Sequence, residues 1–424
     1  MRLQLKVWSG AGVCALLGTS AVSGAAPAML APLPVSALGS EGGEGGEGGG
    51  ALSQYRLMLD AASDPSYDGA ALQSAYADNV QRAYADAAAA ARSLQAAITA
   101  LLDSPDDRSL AAARGAWVQA RRPYLLTEAF RYYDGPIDGP QTTTRAAGPE
   151  PRLNAWPLNE AVIDYVEGAA GSGLVQAFDI DLTRDSIIER DQVSDEADVT
   201  TGWHAIEFLL WGQDRSGTGP GARPLADFVA GGKAHERRRE YLRLLAALLV
   251  EDLDWLAAQW QRDAGNGYAR EFLALEPHEA VGRILTGPAL LAGHELASER
   301  LAVALDSGSQ EDEQSCFSDS TWQDFVWGLA GIKRVYYGRG EAASIAATIR
   351  SLDPRLALEM EARFAEAERR IAALHDPFDR ILVSTPDSRE RRDAEAAVLA
   401  LQRLAAGLRD SGRALGVLVI VPGV

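Results

Sequence analysis

The sequence of 424 residues is poor in the residues that build disulfide frameworks and thiolate metal sites. It contains two cysteines, Cys14 and Cys316, and five histidines. Two cysteines exclude a disulfide scaffold and any cysteine-rich zinc site. The histidines leave a short list of candidates for metal or acid–base chemistry: His204, His235, His278, His294 and His375.

Positive charge is also scarce, with 40 Lys and Arg against 59 Asp and Glu and a formal net charge of −19. Because phosphate contacts need clustered Lys and Arg, this balance argues against a nucleic-acid-binding protein. It argues equally against a polybasic protein of the membrane surface. Alternating Val, Ile and Thr bounded by turns is nearly absent, so a β-sheet is not expected.

The N-terminus has the pattern of an export signal. Arg2 and Lys6 precede an apolar stretch at residues 7–17, and the small residues at 23–26 offer a cleavage site. This pattern predicts that residues 1–25 are a signal peptide and that the protein works in the periplasm or cell envelope. The apolar stretch is too short to span a bilayer, so no transmembrane span is predicted.

Two features near the N-terminus concern attachment. Cys14 is a candidate for a lipid anchor, although the leucine usually found three residues before such a cysteine is absent. Residues 26–51 are rich in Gly and Glu, which predicts a flexible, disordered linker with nothing to bury. Removal of the signal peptide leaves Cys316, which is then expected to be a small buried residue and not a nucleophile.

Beyond the linker, apolar residues recur with helical spacing, and the sequence predicts an all-α fold of two packed helical-bundle domains. Loops rich in Gly and Pro are predicted at 134–157 and 213–224. The boundary between the two domains is predicted near the second loop, which gives an N-terminal domain at 52–230 and a C-terminal domain at 231–424. The tail, residues 415–421, is either a buried strand-like end or the last turn of a helix. Helices are predicted at 70–102, 108–133, 158–169, 184–190, 200–212, 233–262, 278–306, 321–337, 341–350, 354–375 and 388–414.

One predicted helix, which Thr200 or Thr201 can cap and Gly212 can end, carries the pair His204 and Glu207. Side chains three residues apart share a helical face and can reach a common point. Helical-bundle metal proteins use such pairs, so the two residues are candidates for half of a zinc or iron site. The alternative is a pair of hydrogen-bonded core groups, because an unpaired buried charge is costly.

The familiar zinc-peptidase motifs are missing. H-E-x-x-H would place two histidine ligands and a general base on one helix. Three His-Glu dipeptides occur, and each lacks the second histidine: His235-Glu236, His278-Glu279 and His294-Glu295. The inverted motif H-x-x-E-H would need a histidine at position 208, where Phe208 stands.

Three further stretches concentrate polar residues. Trp117, Arg121 and Glu128 fall on one predicted helical stripe, which is either a cleft wall with Glu128 as a further metal ligand or an amphipathic surface with Arg–Glu pairs. The acidic residues of 311–319 form either a cation-binding loop or a hydrated surface loop. The charged run 235–240 is predicted to be a solvated helix face.

At these residues the sequence resembles the imelysin-like family, also called the insulin-cleaving metalloproteinase or M75 peptidase family. The family includes iron-regulated proteins of the cell envelope. Its hallmark G-x-H-x-x-E is matched by Gly202, His204 and Glu207. The likeness covers most of residues 65–410, and further similar stretches lie at 116–138, 154–165, 295–300 and 312–319.

The resemblance implies two helical halves with a cleft between them, faced by the H-x-x-E helix. It further implies an exported protein that holds a metal ion, iron or zinc, at His204 and Glu207, with Glu128 or Asp138 completing the ligand shell. Other iron-uptake proteins of the envelope are implied partners. The positions carried over as candidate cleft or substrate-binding residues are Trp117, Arg121, Asp138, Asn154 and Trp156.

Two functions are therefore predicted. The first is exported metal binding for iron uptake or handling. The alternative is a metal-dependent peptidase in which Glu207 or Glu128 acts as general base. Because a hydrolase needs an open metal position, a water and a general base, and only two ligands can be named, enzyme activity stays open.

Overall fold

The computed structural model describes residues 66–421, apart from 144, 218, 264, 266, 341–342 and 375–377. The predicted signal peptide with Cys14, the linker 26–51 and His375 lie outside the described residues. The described part consists of helices joined by loops and contains no β-strand, which confirms the all-α prediction. None of its helices combines the length and hydropathy that a bilayer span requires.

The helices follow one another with loops of very different length. The first half of the described chain contains α1 (Gly69–Asp103), α2 (Asp107–Leu125), α3 (Glu150–Asn154), α4 (Glu160–Ile163), α5 (Arg184–Ile188), α6 (Gly202–Trp211) and α7 (Lys233–Gln259). The second half contains α8 (Tyr268–Leu273), α9 (Pro277–Leu290), α10 (Val303–Ser307), α11 (Thr321–Tyr337), α12 (Ile345–Leu352), α13 (Pro354–Ala372), α14 (Asp379–Leu382) and α15 (Arg389–Ala414).

A π-helical segment, Leu291–Ala302, joins α9 to α10 without a break. At its end the backbone N–H of Val303 donates to the carbonyl of Ser298, the bond from residue i to i+5 that defines this wider helix. Residues five apart therefore share a face here. The hydroxyl of Ser298 accordingly reaches the carbonyl of Gly293, at 3.2 Å.

The apolar faces of the helices meet in one hydrophobic cluster that runs from Leu72 to Val421. α1 packs against α2 and also against α7, while α15 packs against the π-helical segment and α13. The first helix of the predicted second domain thus contacts the first helix of the predicted first domain. The division into 52–230 and 231–424 stays a prediction.

The helix predicted over 108–133 ends earlier than expected, at Leu125. The hydroxyl of Thr127 donates to the carbonyl of Tyr124 at 2.6 Å, and a short 3-10 turn follows at Glu128–Phe130. Glu128 therefore lies beyond the helix and not on its stripe. A serine, threonine or asparagine side chain that bonds to the backbone competes with helix continuation, which sequence periodicity does not register.

The prediction of a solvated face at 235–240 is wrong for Arg238, which is 2% exposed. Its guanidinium donates to both carboxylate oxygens of Asp164, at 2.5 and 3.1 Å. Arg223 donates to the same carboxylate at 2.8 Å. Because buried charges persist when they are paired and hydrogen-bonded, this cluster fixes α7 to the loop after α4.

Leu415 and Gly416 close α15 in a turn, in which the N–H of Leu415 still donates to the carbonyl of Ser411, and residues 417–421 follow outside any helix or paired strand. Val417, Val419 and Val421 are buried, whereas Leu418 and Ile420 are 58% and 68% exposed. Side chains of an extended chain alternate between two faces, so the tail lays one face on the core.

Candidate functional site

The site is built on α6, all ten residues of which are buried. Gly202 begins the helix at φ +82°, and a Cβ there would lie 2.5 Å from the carbonyl oxygen of Leu153, so only glycine fits. Gly212 ends the helix at φ +73°, as predicted. Thr201 occupies the N-cap position, but the capping prediction is wrong because its hydroxyl donates to the carbonyl of Arg152 at 3.0 Å.

His204 and Glu207 contact each other on the buried face of α6. The Nδ1 of His204 lies 2.8 Å from the Oε2 of Glu207, and the side chains are 1% and 0% exposed. The other carboxylate oxygen accepts from the backbone N–H and the hydroxyl of Ser318, at 2.9 and 2.6 Å. The Nε2 of His204 is buried and has no hydrogen-bond partner among the described residues. Glu207 therefore orients the ring, and Nε2 is the atom left over.

Burial dominates the protonation of this pair. Burial, together with the charges of Arg121 and Arg300, lowers the pKa of His204 well below its ordinary value. Burial raises the pKa of Glu207 to about 8, against the opposing effect of the Ser318 hydrogen bond. The imidazole is thus neutral near pH 7, which is the form that binds a metal ion.

Arg121 connects α2 to two other parts of the chain. Its guanidinium donates to Asn154 at 2.5 Å and to Asp324 at 2.8 Å. It also lies 5.5 Å from the ring of Trp117 and 5.7 Å from that of Trp203, within the range of cation–π attraction. The indole of Trp117 donates to the carbonyl of Trp203 at 3.0 Å, which ties α2 to α6.

Glu128 is fully buried and paired with Arg300 of the π-helical segment. Two guanidinium nitrogens donate to its two oxygens, at 2.7 and 2.9 Å, and Asn154 donates at 3.1 Å. Arg300 also donates to Glu295 at 2.8 Å, and Glu295 accepts from the hydroxyl of Tyr132 at 2.9 Å. A metal ion at Glu128 would compete with a bidentate, charge-assisted pair.

The two remaining predicted positions, Asp138 and Trp156, hydrogen-bond to backbone groups near the residues described above. The Oδ2 of Asp138 accepts from the backbone N–H of Tyr132 at 2.6 Å, and burial raises the pKa of this aspartate. The indole of Trp156 donates to the backbone carbonyl of Glu313 at 2.9 Å. Asp138 thus braces the segment after Glu128, while Trp156 contacts the acidic loop.

The structure therefore joins Arg121, Asn154 and Glu128 in one hydrogen-bonded chain and places His204 with Glu207. Within the described part of the chain, these residues do not form a group of three metal-ligating atoms within 4.8 Å of one another, whereas three aspartates elsewhere do. Metal ligation by His204, Glu207 and Glu128 stays a prediction.

Sequence reasoning assigned no site role to Asp324, Ser318 or Arg300. Asp324 lies on α11 with no local signal, and its Oδ2 accepts from Ser315 at 2.5 Å besides Arg121. The stretches 295–300 and 312–319, which contain Arg300 and Ser318, were noted only for their similarity to the imelysin-like family. That likeness was the single available signal for Arg300 and Ser318.

A family model and a relative of known name each match most of the chain. A family model described as "Peptidase_M75: Imelysin" matches residues 80–408. The iron-regulated protein A of Synechococcus elongatus is 24% identical over 340 residues, covering 77% of this chain and 80% of that protein.

Two solved structures share the fold. One is described as a putative iron-regulated protein A precursor from Parabacteroides distasonis, with a TM-score of 0.67 and 19% identity, covering 84% of this chain and 97% of that one. The other, described as an imelysin-like protein from Psychrobacter arcticum, has a TM-score of 0.58 and 14% identity, covering 84% and 98%.

Proposed function

Because the chain belongs to the imelysin (peptidase M75) family, whose model matches residues 80–408, we propose that it is an exported protein that binds a metal ion for iron handling in the cell envelope. The observation that carries the proposal is the Nε2 of His204, a buried ring nitrogen that no residue of the described part of the chain hydrogen-bonds. The predicted signal peptide supports export, and the name of the cyanobacterial relative, iron-regulated protein A, favours iron over zinc.

The pair on α6 suits a metal ligand and its supporting carboxylate. In metal sites a ligating histidine commonly donates its other N–H to a carboxylate, which fixes the tautomer and raises the basicity of the ring. With Nδ1–H donating to Glu207, the lone pair of Nε2 would face the metal ion. Water, or a ligand that arrives with the metal, would fill the remaining coordination positions.

The two arginines nearest to His204 do not make the region repulsive to a cation. Arg121 is neutralised by Asp324, at 2.8 Å. Arg300 contacts both Glu128 and Glu295. Acidic groups therefore balance the positive charge around the histidine, and Glu207 adds a carboxylate that can ionise when a cation binds.

The same geometry favours binding over peptide hydrolysis. A general base takes a proton from the attacking water, and hydrogen bonds from protein donors reduce the lone pairs that a carboxylate offers for this step. Both oxygens of Glu207 are occupied, by His204 and by Ser318. Both oxygens of Glu128 are occupied by Arg300.

The proposal is tested by titrating the chain from residue 26 onward with Fe²⁺ under nitrogen and, separately, with Zn²⁺. We expect His204→Ala to weaken iron binding by at least tenfold, as loss of a ligand or its support does in metal sites. The matched control is His294→Ala, which removes an exposed histidine 3.6 Å from Glu299. Equal affinity of wild type and His204→Ala would refute the proposal.

The peptidase alternative is tested on the metal-loaded protein with insulin and casein as substrates. If both substrates stay intact while the metal is bound, the peptidase alternative is excluded. Cleavage that disappears in Glu207→Gln would instead support it, because a glutamine cannot act as general base.

A further inference from the structure

Four carboxylates from three separate parts of the chain converge beside the loop that follows α10. Asp214 comes after α6, Glu313 and Asp319 belong to the loop itself, and Asp379 begins α14. One oxygen from each of the three aspartates lies within 4.8 Å of the other two. Glu313 is close enough to Asp379 and Asp319 for their charges to raise its pKa.

Two of the four carboxylates are buried without a basic partner among the described residues. Glu313 is 0% and Asp379 is 3% exposed. All four of their oxygens lack a hydrogen-bond partner of standard geometry among the described residues. Burial, together with the charges of Asp379 and Asp319, raises the pKa of Glu313, whereas the neutral side chains of Thr321 and Gln310 lower the pKa of Glu313 and of Asp379, respectively. Within the described part of the chain, no basic side chain acts on either pKa.

This arrangement differs from the network around His204. There two buried carboxylates pair with arginines, Glu128 with Arg300 and Asp324 with Arg121, and Glu207 is held by His204 and Ser318. An ionised carboxylate without such a partner is expensive to bury, so a cluster of this kind needs either bound protons or a bound cation.

We propose that Asp214, Glu313, Asp319 and Asp379 form a second cation site, one for a hard divalent cation of the Ca²⁺ class. Four carboxylates offer between four and eight oxygens, which suits the six to eight oxygen ligands of Ca²⁺. The cluster supplies no nitrogen or sulfur, the ligands that favour zinc and softer metals. It shares no side chain with the His204–Glu207 pair.

The loop that contributes Glu313 and Asp319 also reaches the first site through Ser318, which hydrogen-bonds Glu207. A cation held by the four carboxylates would tie this loop to the end of α6 and the start of α14. The site thus joins segments that lie more than a hundred residues apart in sequence, Asp214 and Asp379 being its extremes.

Terbium luminescence tests the proposal directly, because Tb³⁺ replaces Ca²⁺ at oxygen sites and is excited through a nearby indole. Trp156 is suitably placed, since its ring N–H donates to the carbonyl of Glu313 at 2.9 Å. We expect saturable emission from the chain beginning at residue 26, reversed by Ca²⁺ at roughly 0.1–1 mM, the range of extracellular calcium modules.

The decisive variant is Asp319→Asn/Asp379→Asn, which we expect to weaken Tb³⁺ binding at least a hundredfold. The matched control is Asp185→Asn/Asp306→Asn, whose carboxylates are 81% and 87% exposed and whose net charge changes equally. His204→Ala should bind Tb³⁺ like wild type. Emission that persists in the decisive variant, or its loss in His204→Ala, would overturn the proposal.

Thermal unfolding keeps the proposal falsifiable if the decisive variant folds poorly. Calcium at ten times its Kd should raise the Tm of the wild-type chain by roughly 2 °C. A wild-type Tm that ignores Ca²⁺ up to about 10 mM would show that shared protons, and no cation, compensate these carboxylates.

Discussion

Replacing Glu295 with glutamine removes one charge from the buried network beside His204, and we expect it to lower the free energy of unfolding substantially. Glu295 accepts two hydrogen bonds from Arg300, at 2.8 and 3.0 Å, and one from Tyr132. Burial alone would raise its pKa, but the charges of Arg300 and Arg131 outweigh burial and lower the pKa of Glu295 to about 2.

The magnitude follows from that shift. A fall from 4.5 to about 2 corresponds to about 3 kcal/mol in favour of the ionised form in the folded state, at 1.36 kcal/mol per pKa unit. Because the folded pKa of Glu295 is lowered, this stabilisation is present above pH 4.5 and is lost as the pH falls towards 2. At pH 3 it should have shrunk to about 1.5 kcal/mol.

Urea unfolding of wild type and Glu295→Gln at pH 7, 4 and 3, followed by circular dichroism, measures this difference. The control is Glu299→Gln, a 41% exposed carboxylate in the same segment, which should change the unfolding free energy by less than about 0.5 kcal/mol. A Glu295→Gln deficit that is equal at pH 7 and pH 3 would refute the electrostatic explanation. A deficit under about 1 kcal/mol at pH 7 would refute the strength of the pairing.

Three further outcomes are expected. Gly202→Ala should lower the unfolding free energy by about 2 kcal/mol or more, because position 202 has a positive φ and a carbonyl close to the added Cβ. Gly115→Ala, with open space around it, should raise the unfolding free energy by up to about 1 kcal/mol in the same urea-unfolding assay. Arg121→Met should cost about 3–5 kcal/mol by leaving Asp324 buried without its charged partner, and Arg121→Met/Asp324→Leu should recover most of that loss in urea unfolding. Glu207 has a raised pKa of about 8 in the folded chain. Between pH 4.5 and 8 the folded chain therefore keeps a proton that the unfolded chain has lost. The contribution of Glu207 to the free energy of unfolding consequently falls as the pH rises through this range. Glu207→Gln should remove about 3 kcal/mol of that decline between pH 6 and 9 in urea unfolding, and an unchanged decline would contradict the assignment.

What the sequence predicts well is local. The periodicity of α6 places His204 and Glu207 on one face, and their side chains lie 2.8 Å apart. Gly212 ends the helix because a residue at positive φ favours glycine, which is a property of one position. The all-α class follows equally from repeating local patterns, and the structure confirms it.

The sequence could not predict the contacts that depend on the π-helical form of residues 291–302. Glu295 and Arg300 are five residues apart, and in an α-helix they would be separated by about 140° around the axis. The π-helical segment brings them together, and the pair then reaches Glu128 from 172 residues away. Periodicity of 3.6 detects a helix at 278–306 but cannot detect this widening.

The burial of charged residues was also not predictable, because a charged side chain is expected to face solvent unless its partner is known. Arg238 is buried since Asp164, 74 residues earlier, accepts its hydrogen bonds. Glu313 and Asp379 are buried with no such donor among the described residues, and for the loop that contains Glu313 a hydrated surface was one of the two predictions. Burial alone therefore does not separate a structural ion pair from a binding site. The identity of the compensating charge does, and for Glu313 and Asp379 that charge must come from outside the described side chains, as a proton or as a cation.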